Sequence, residues 1–372
     1  MMIALPNSPK LPISALSSSF EQVTNSYKFY WFLVILDHVR QGMGRVIAID
    51  SLLAYMIGHS WYPLNFYRLS FGKQDQIGKL VTLIGTGSDL DANSPQHQII
   101  EVAHQHLSQR DEIGRQIAHL ADFVPYRFLR PFFAQSLRGM VDWKINRSIR
   151  QLAEASFSSP EPCLYRFVES PEWGIEIHPD WYEYLQQHLA ILTDFCLWNL
   201  LNYLQKNNPN IPNIAAKLFA PTQRDLHLAR EFWNLVLSRK GQINCIYSEE
   251  PLHRGAYSID HFLPWRFVAH DSLWNLAPTS RRVNSAKSDC VPDLSYFDRF
   301  AQLQHQAIQI VLETPRKERL LEDYVLLFRI PTLEELQSMS FSTFRDKLYE
   351  VIAPQIQIAA NMGFVTGWRF RS

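Results

Sequence analysis

The sequence predicts a mainly α-helical protein that contains one small α+β module. Apolar residues recur with helical spacing in long segments on both sides of a short β-rich region, which covers residues 242–262. The chain of 372 residues is 47% hydrophobic, which is enough for a packed core. The expected segments are a helical N-terminal region over residues 1–237, a ββα module over residues 238–292 and a short helical tail over residues 293–372.

Most of the N-terminal region is expected to be helical. Helix-like apolar spacing covers residues 25–56, 96–121, 178–205 and 224–237. Turn-forming residues break the pattern at residues 85–94, 156–162 and 206–212. The apolar run from Phe29 to Leu36 is bounded by Lys28 and Asp37, so it is too short to span a bilayer and is expected to be a buried helix.

The module is expected to consist of a hairpin and a helix. Two β-rich runs, residues 242–247 and 257–262, are separated by a segment with two Glu, one Pro and one Gly, which predicts a hairpin. A Thr or Ser N-cap at positions 279–280 begins a helix that ends before Pro292. In the tail, helices are expected over residues 294–312 and 332–352.

Asp260 and His261 form a candidate metal and proton-transfer pair. An aspartate supplies a hard oxygen ligand for Mg²⁺, and a neutral histidine can deprotonate water. Asn284, on the expected helix, can provide a side-chain oxygen as the second ligand. Because Mg²⁺ keeps several waters, two protein ligands are enough, and Mn²⁺ can substitute because it accepts similar oxygen ligands. The pattern predicts a one-metal nuclease site.

The residues of this module resemble the HNH endonuclease superfamily. An isolated Asp-His pair is uninformative, and the resemblance depends on the whole set in order and spacing. The matching residues are Asp260, His261, Pro264, Asn275, Asn284 and Lys287. The last letter of the motif is Asn here and not His. The HNH domain of the RNA-guided CRISPR effector nuclease, which this segment resembles most closely, also has Asn at this position.

The resemblance implies Mg²⁺-dependent cleavage of phosphodiester bonds and a role for each residue. Asp260 and Asn284 would bind the metal, and His261 would be the general base. Asn275 would brace the loop and orient the histidine, and Lys287 would lie near the scissile phosphate. Two simpler alternatives remain, in which Asn275 is only a turn residue and Lys287 is a solvated helix charge.

The chain departs from the many family members that hold a structural zinc ion with two Cys-x-x-Cys pairs. Cys245 stands at the first position of such a pair, but Ser248 occupies the second and Cys290 has no nearby partner. Structural Zn²⁺ is therefore not expected, and both thiols are interpreted as small buried groups. A mixed site that includes His253 and His270 is the alternative.

Charge is balanced, with 36 basic and 36 acidic residues, so any nucleic-acid surface must be local. Six basic residues and several aromatic residues lie within residues 127–150. This pattern predicts DNA contacts by Arg138, Lys144 and Arg147, because basic side chains bind phosphates and aromatic rings stack on bases. The alternative is an ordinary amphipathic helix whose arginines are solvated.

A second candidate DNA contact lies beside the metal site, at Arg281 and Arg282. The overall pattern resembles stand-alone bacterial HNH proteins of restriction or phage-defence type, which implies DNA as the partner and allows a protein partner from a defence system. Two rival hypotheses are an HNH enzyme that acts on RNA or within a larger complex, and a non-catalytic nucleic-acid-binding module. The intact set of candidate site residues argues against the second rival.

The setting is expected to be the cytoplasm. Four scattered cysteines show no disulfide framework, which favours a reducing compartment. The first residues lack the charged and apolar regions of a signal peptide, and no membrane contact is expected. No P-loop or glycine-rich fingerprint is present, so no nucleotide cofactor is expected, and the isolated Gly85-Thr86-Gly87 is interpreted as a turn.

Overall fold

The structure is a computed structural model that describes residues 4–21, 23–169, 172–221 and 224–371. Helices account for 60% of the residues and strands for 7%. These proportions confirm the predicted fold class, mainly α with a small α+β module. The chain divides into two compact units, of which the first comprises residues 1–209 and 217–220 and the second comprises residues 210–216 and 221–372.

The first unit is helical, with one three-stranded antiparallel sheet in the order β1-β3-β2. Its strands are β1 (Val46–Ala48), β2 (Tyr165–Val168) and β3 (Gly174–Ile177). Its helices in the described residues are α1 (Ile13–Ser18), α2 (Tyr27–Arg40), α3 (Ile49–Trp61), α4 (Ile77–Gly87), α5 (Gln96–Gln109), α6 (Glu112–Ala118), α7 (Val124–Leu129), α8 (Asp142–Ser156), α9 (Pro179–Gln187) and α10 (Leu189–Asn207).

Helix α2 lies in the core of this unit, and every residue from Phe29 to Leu36 is buried, as predicted. The single helix expected over residues 25–56 is wrong, because α2 ends at Arg40. Gly42 and Gly44 follow with φ of +66° and +88°, a backbone conformation that favours glycine and ends the helix. Strand β1 then pairs with β3 before α3 begins.

Two other expected helices are interrupted, and one expected turn is helical. Residues 96–121 form α5 and α6, which separate at Arg110, a residue with φ of +51°. Residues 178–205 form α9 and α10, which meet at His188. Gly85 and Gly87 belong to the last turn of α4, so the expected turn there is wrong. Helical backbone tolerates these glycines near its end at a cost of about 1 kcal/mol each.

The second unit combines a small α+β region with helices. Its strands are β4 (Ile243–Asn244), β5 (Pro251–Leu252), β6 (Ser258–His261) and β7 (Leu276–Thr279). Its helices in the described residues are α11 (His227–Lys240), α12 (Trp265–Val268), α13 (Arg281–Lys287), α14 (Phe297–Leu312), α15 (Lys317–Phe328), α16 (Leu333–Ser338) and α17 (Phe341–Asn361).

Strand pairing in this unit differs from the predicted hairpin. The chain reverses between β4 and β5, where Glu249 adopts φ of +63°, and β4 therefore pairs with β5. Strand β6 pairs instead with β7, in a register that places Asp260 opposite Ala277 and His261 opposite Leu276. Helix α13 follows β7, and the Ser280 hydroxyl caps it as predicted by accepting a hydrogen bond from the Val283 amide.

One hydrophobic core connects the α+β region with the helices on both sides of it. Buried side chains from α11, β6, α14 and α17 belong to the same cluster, for example Trp233, Ile259, Phe300 and Phe344. This shared core explains why the compact unit begins before α11 and continues to the end of the described chain, whereas the sequence suggested separate segments with boundaries at 237 and 293. Among the described residues, none of the helices has the length and hydropathy that crossing a bilayer requires.

Candidate active site

A cleft of about 190 Å³ lies beside the end of β6 and helix α13. The candidate residues Asp260, His261 and Asn284 all line it. Asp260 and His261 are the last two residues of β6, and Asn284 lies in the middle of α13. The structure therefore brings together three residues that the sequence analysis selected. Pro264, Trp265 and Asp289 also line the cleft.

The Asp260 carboxylate is buried, and each of its two oxygens accepts a hydrogen bond. The Tyr247 hydroxyl donates a hydrogen bond to Oδ2 at 2.8 Å, and the Lys287 amine donates to Oδ1 at 3.1 Å. Burial, reinforced by the negative charge of Asp260, raises the pKa of Tyr247 well above its ordinary value, so this hydroxyl stays a donor. An ionised carboxylate has about four acceptor positions, so Asp260 keeps capacity for another ligand.

Lys287 is a buried residue near the end of α13. Its side chain is 1% exposed, and its amine donates to Asp260 and, at 2.6 Å, to the backbone carbonyl of His261. A buried ammonium group needs a counter-charge, and Asp260 supplies it. Lys287 is thus not a solvated helix charge. It fixes the backbone and the carboxylate at the end of β6.

His261 has a carboxylate partner that the sequence analysis missed. Its Nε2 lies 2.7 Å from Oδ1 of Asp271, and the histidine side chain is 4% exposed. Because an ionised carboxylate only accepts hydrogen bonds, Nε2 carries the hydrogen of the neutral ring and Nδ1 is left as the acceptor. Asp271 lies in the loop after α12, where no local pattern marks it as a partner of a residue ten positions earlier.

Asn275 braces the loop that follows His261. Its side-chain oxygen accepts from the Leu263 amide at 2.8 Å, and its side-chain nitrogen donates to the Leu263 carbonyl at 2.9 Å. Its backbone carbonyl also accepts from the Phe262 amide. Asn275 is completely buried, so these bonds are sheltered from water. This geometry matches a bracing residue and not a simple turn residue.

The same loop also forms hydrogen bonds with side chains of helices α14 and α15. Asp323 on α15 accepts a hydrogen bond from the Leu273 amide at 2.7 Å. Gln304 on α14 is fully buried and donates to the carbonyls of Leu273 and Leu276. Gln304 in turn accepts a hydrogen bond from the Tyr324 hydroxyl. The tail expected from the sequence therefore supports the loop that carries Asp271 and Asn275.

The oxygen ligands in the cleft fit a divalent metal ion. Within the described residues, the Asn284 side chain has no hydrogen-bond partner, so its oxygen is available in the same cleft as the Asp260 carboxylate. A carboxylate and an amide oxygen are the hard ligands that Mg²⁺ accepts while it keeps several waters. In the described part of the chain, no group of three or more His, Cys, Asp or Glu side chains is arranged as a metal site.

The two cysteines of the module differ in burial. Cys245 is buried, and its thiol lies 3.4 Å from the Thr279 hydroxyl, which connects the turn after β4 with the end of β7. Cys290 is half-buried. The His270 ring packs against Trp274, with 5.3 Å between the ring centroids. These contacts give Cys245 and His270 structural partners within the module.

The basic candidates have different environments. Arg282 forms an exposed ion pair with Glu250 and lies 4.9 Å from the ring of Phe370, whereas Arg281 is exposed in the first turn of α13. In the first unit, Arg138, Lys144 and Arg147 are all exposed.

Helix α8, which carries Lys144 and Arg147, has a clear buried face and a clear exposed face. It buries Ile145, Ile149 and Ala153, as in the amphipathic-helix alternative. Trp143, however, is 79% exposed, and the Lys144 amine lies 5.0 Å from its ring. An exposed aromatic ring beside basic side chains is the combination that binds single-stranded nucleic acid elsewhere.

Comparison with known protein families identifies the module. Residues 245–293 match the family described as HNH endonuclease, which supports membership of the HNH superfamily and indicates nuclease activity. The match includes all six residues on which the resemblance depends, from Asp260 to Lys287, and covers well under half of the chain. No curated protein and no solved structure matches the chain.

Proposed function

We propose that this protein is a Mg²⁺-dependent HNH endonuclease that hydrolyses DNA phosphodiester bonds in bacterial restriction or phage defence. One observation carries the proposal. A histidine oriented by a carboxylate, His261 with Asp271 at 2.7 Å, lies in the same cleft as the two candidate metal ligands. A base and metal ligands that converge on one small polar cleft are what hydrolysis of a phosphodiester requires.

His261 is the general base in this proposal. A neutral histidine can take a proton from an attacking water near pH 7, and Nδ1 is the ring nitrogen left to accept it. The carboxylate of Asp271 then stabilises the positive charge that the ring acquires, as a carboxylate does in other histidine-based sites. Asn275 and Lys287 keep the strand end and the loop in place, so they are positioning residues.

Asp260 and Asn284 are the proposed ligands of the divalent metal ion. Such an ion offsets the negative charge that develops on the phosphate and on the leaving oxygen. Because Lys287 already neutralises Asp260, the pair has no net charge, and Asn284 adds none. The Asp260–Lys287 pair therefore attracts a cation weakly until a phosphate group brings its own negative charge. We infer that metal and nucleic acid bind cooperatively.

DNA binding is assigned to Arg281 beside the cleft and to Arg138, Lys144 and Arg147 in the first unit. All four side chains are exposed. Arg282 has a smaller role because Glu250 pairs with it.

The cytoplasm is the proposed compartment, since all four cysteines are free thiols and Cys163, Cys196 and Cys245 are buried. A protein partner from a defence system is compatible with this assignment.

The test is a cleavage assay with purified protein on supercoiled plasmid, single-stranded DNA and RNA, with Mg²⁺, with Mn²⁺ and with EDTA. Cleavage of DNA that needs the metal supports the proposal. Cleavage of RNA alone favours the RNA alternative, and no cleavage of any substrate favours a non-catalytic binding module. Phage plating on cells that express the wild type or an inactive variant tests the defence role.

His261→Ala provides the inactive variant. It should lower the cleavage rate by about 10²–10⁴-fold, the usual contribution of a general base, with DNA affinity nearly unchanged. His119→Ala is the matched control, because His119 is also paired with an aspartate, Asp122, at 2.7 Å but is exposed in the first unit. A wild-type rate for His261→Ala would show that His261 has only a structural role.

A further inference from the structure

A second cleft, of about 480 Å³, lies entirely within the first unit. Its walls include the start of α2, residues before α4 and the region of α7. Three cationic side chains line it, Lys28, Arg127 and Arg130, and no acidic side chain does. The volume is within the range of about 300–1,000 Å³ that small-molecule sites occupy.

The charges in this cleft are incompletely balanced. Arg127 forms a two-pronged ion pair with Asp142, with distances of 2.8 and 2.9 Å. Among the described residues, neither Lys28 nor Arg130 forms an ion pair with a carboxylate. Burial, and then the charges of Arg130 and Arg127, lower the pKa of Lys28 to about 8. A half-buried lysine next to two guanidinium groups is stabilised when an anion binds between them.

Asn25, Tyr27 and Lys28 line the cleft at the start of α2, a helix of 14 residues whose macrodipole has its positive end there. The buried Asp75 carboxylate accepts a hydrogen bond from the Ser26 amide at 2.6 Å and offsets part of this positive potential. The Asn25 side-chain oxygen is buried and has no hydrogen-bond partner among the described residues. A ligand that carries both an anionic group and a hydrogen-bond donor would satisfy both features.

We propose that this cleft binds the phosphate group of a nucleotide, either free or at the 5′ end of a strand. Lys28 and Arg130 contact the phosphate. The unpaired Asn25 oxygen accepts a hydrogen bond from a hydroxyl or amino group of the same ligand. Phe123, which also lines the cleft and is 46% exposed, stacks on the base. The site belongs to the first unit and is independent of the nuclease cleft.

Calorimetric titration of the full chain with AMP, and with an oligonucleotide with and without a 5′ phosphate, tests this site. We expect AMP or the phosphorylated oligonucleotide to bind, with inorganic phosphate as a competitor. Binding of AMP identifies the free nucleotide as the source of the phosphate. Binding of the phosphorylated oligonucleotide alone identifies a strand end. The readout is binding, so it does not depend on whether the protein cleaves nucleic acid.

Two variants locate the binding. Lys28→Gln and Arg130→Gln should each weaken binding on the order of tenfold, the effect of losing one hydrogen bond to a charged group. Arg130 is exposed, so its substitution is informative even if Lys28→Gln disturbs folding. Arg115→Gln removes an exposed charge outside the cleft and should leave the affinity unchanged. The proposal is overturned if neither ligand binds, or if all three variants weaken binding equally.

Discussion

Asp271 accepts a hydrogen bond at 2.7 Å from Nε2 of His261, which lies ten positions earlier in the chain. This contact selects the tautomer in which Nδ1 is free, and it holds the imidazole in one orientation. The cleft therefore contains an oriented histidine before any substrate binds.

Asp271→Asn should lower kcat by at least about tenfold, and by no more than the 10²–10⁴-fold contribution of the base itself. The amide keeps the size of the side chain but removes its charge and accepts either tautomer, so the free Nδ1 is less populated. KM for DNA should stay close to that of the wild type. Steady-state kinetics at saturating Mg²⁺ measure both quantities.

The double variant with His261→Ala distinguishes positioning from a structural role. If Asp271 acts through His261, the double variant is no slower than His261→Ala alone, because the two losses are not additive. Additive losses would contradict the assignment. Asp122→Asn, which alters an equivalent but exposed His-Asp pair, is the control and should leave the cleavage rate unchanged.

Lys287→Met should lower the free energy of unfolding by about 3–5 kcal/mol, the usual cost of leaving one buried charge without its partner. The Asp260 and Lys287 side chains are 4% and 1% exposed, so solvent screening is small. Combining the change with Asp260→Asn should recover part of the loss. Urea unfolding monitored by circular dichroism measures all three variants.

An exposed ion pair provides the comparison for Lys287. Arg299→Met removes the pair with Glu249, whose side chain is 65% exposed, and should cost at most about 1 kcal/mol. If Lys287 instead contacted the scissile phosphate, Lys287→Met would weaken DNA binding and barely change stability. That result would restore the role implied by the family resemblance.

Asp260→Asn and Asn284→Ala should both raise the Mg²⁺ concentration that gives half-maximal cleavage. The aspartate change should be the more severe because it removes a charged ligand. Mn²⁺ should restore activity to Asn284→Ala better than to Asp260→Asn. Titration of the cleavage rate with each metal ion measures this. An unchanged metal requirement in both variants would rule out these two residues as ligands.

Replacing Arg138, Lys144 and Arg147 together by Gln should weaken DNA binding and reduce its salt dependence. Each lost phosphate contact lowers the slope of log K against log salt by about one. The cleavage rate at saturating DNA should not change. The matched control replaces three other exposed basic residues of the same unit, Lys79, Arg115 and Lys206. Equal effects of the two triple variants would mean that only net charge matters.

The local part of the site could be predicted from the sequence. Asp260-His261 lies on a short β-rich run, and Asn284 follows a Ser N-cap on a helix, so motif spacing and capping were sufficient to place them. The buried apolar helix around Phe29 was predictable for the same reason, since its pattern is contained in adjacent residues.

The contacts between residues that lie far apart in the sequence could not be predicted in this way. The partner of β6 is β7, which contains Pro278, a residue that argues against a strand in sequence analysis and is tolerated at a sheet edge. The hydrogen bond of Asp271 to His261 and that of Tyr247 to Asp260 depend on how loops close in three dimensions. The buried position of Lys287 likewise depends on a counter-charge from another element.

The hydrogen bonds from Gln304 and Asp323 have a consequence for protein engineering. The backbone around Leu273 is fixed by side chains that lie outside the matched HNH segment, residues 245–293. A chimera that transplanted only this segment would carry both proposed metal ligands and the histidine, but it would lose hydrogen bonds that support the loop of Asp271. The smallest portable nuclease unit in this chain therefore includes α14 and α15.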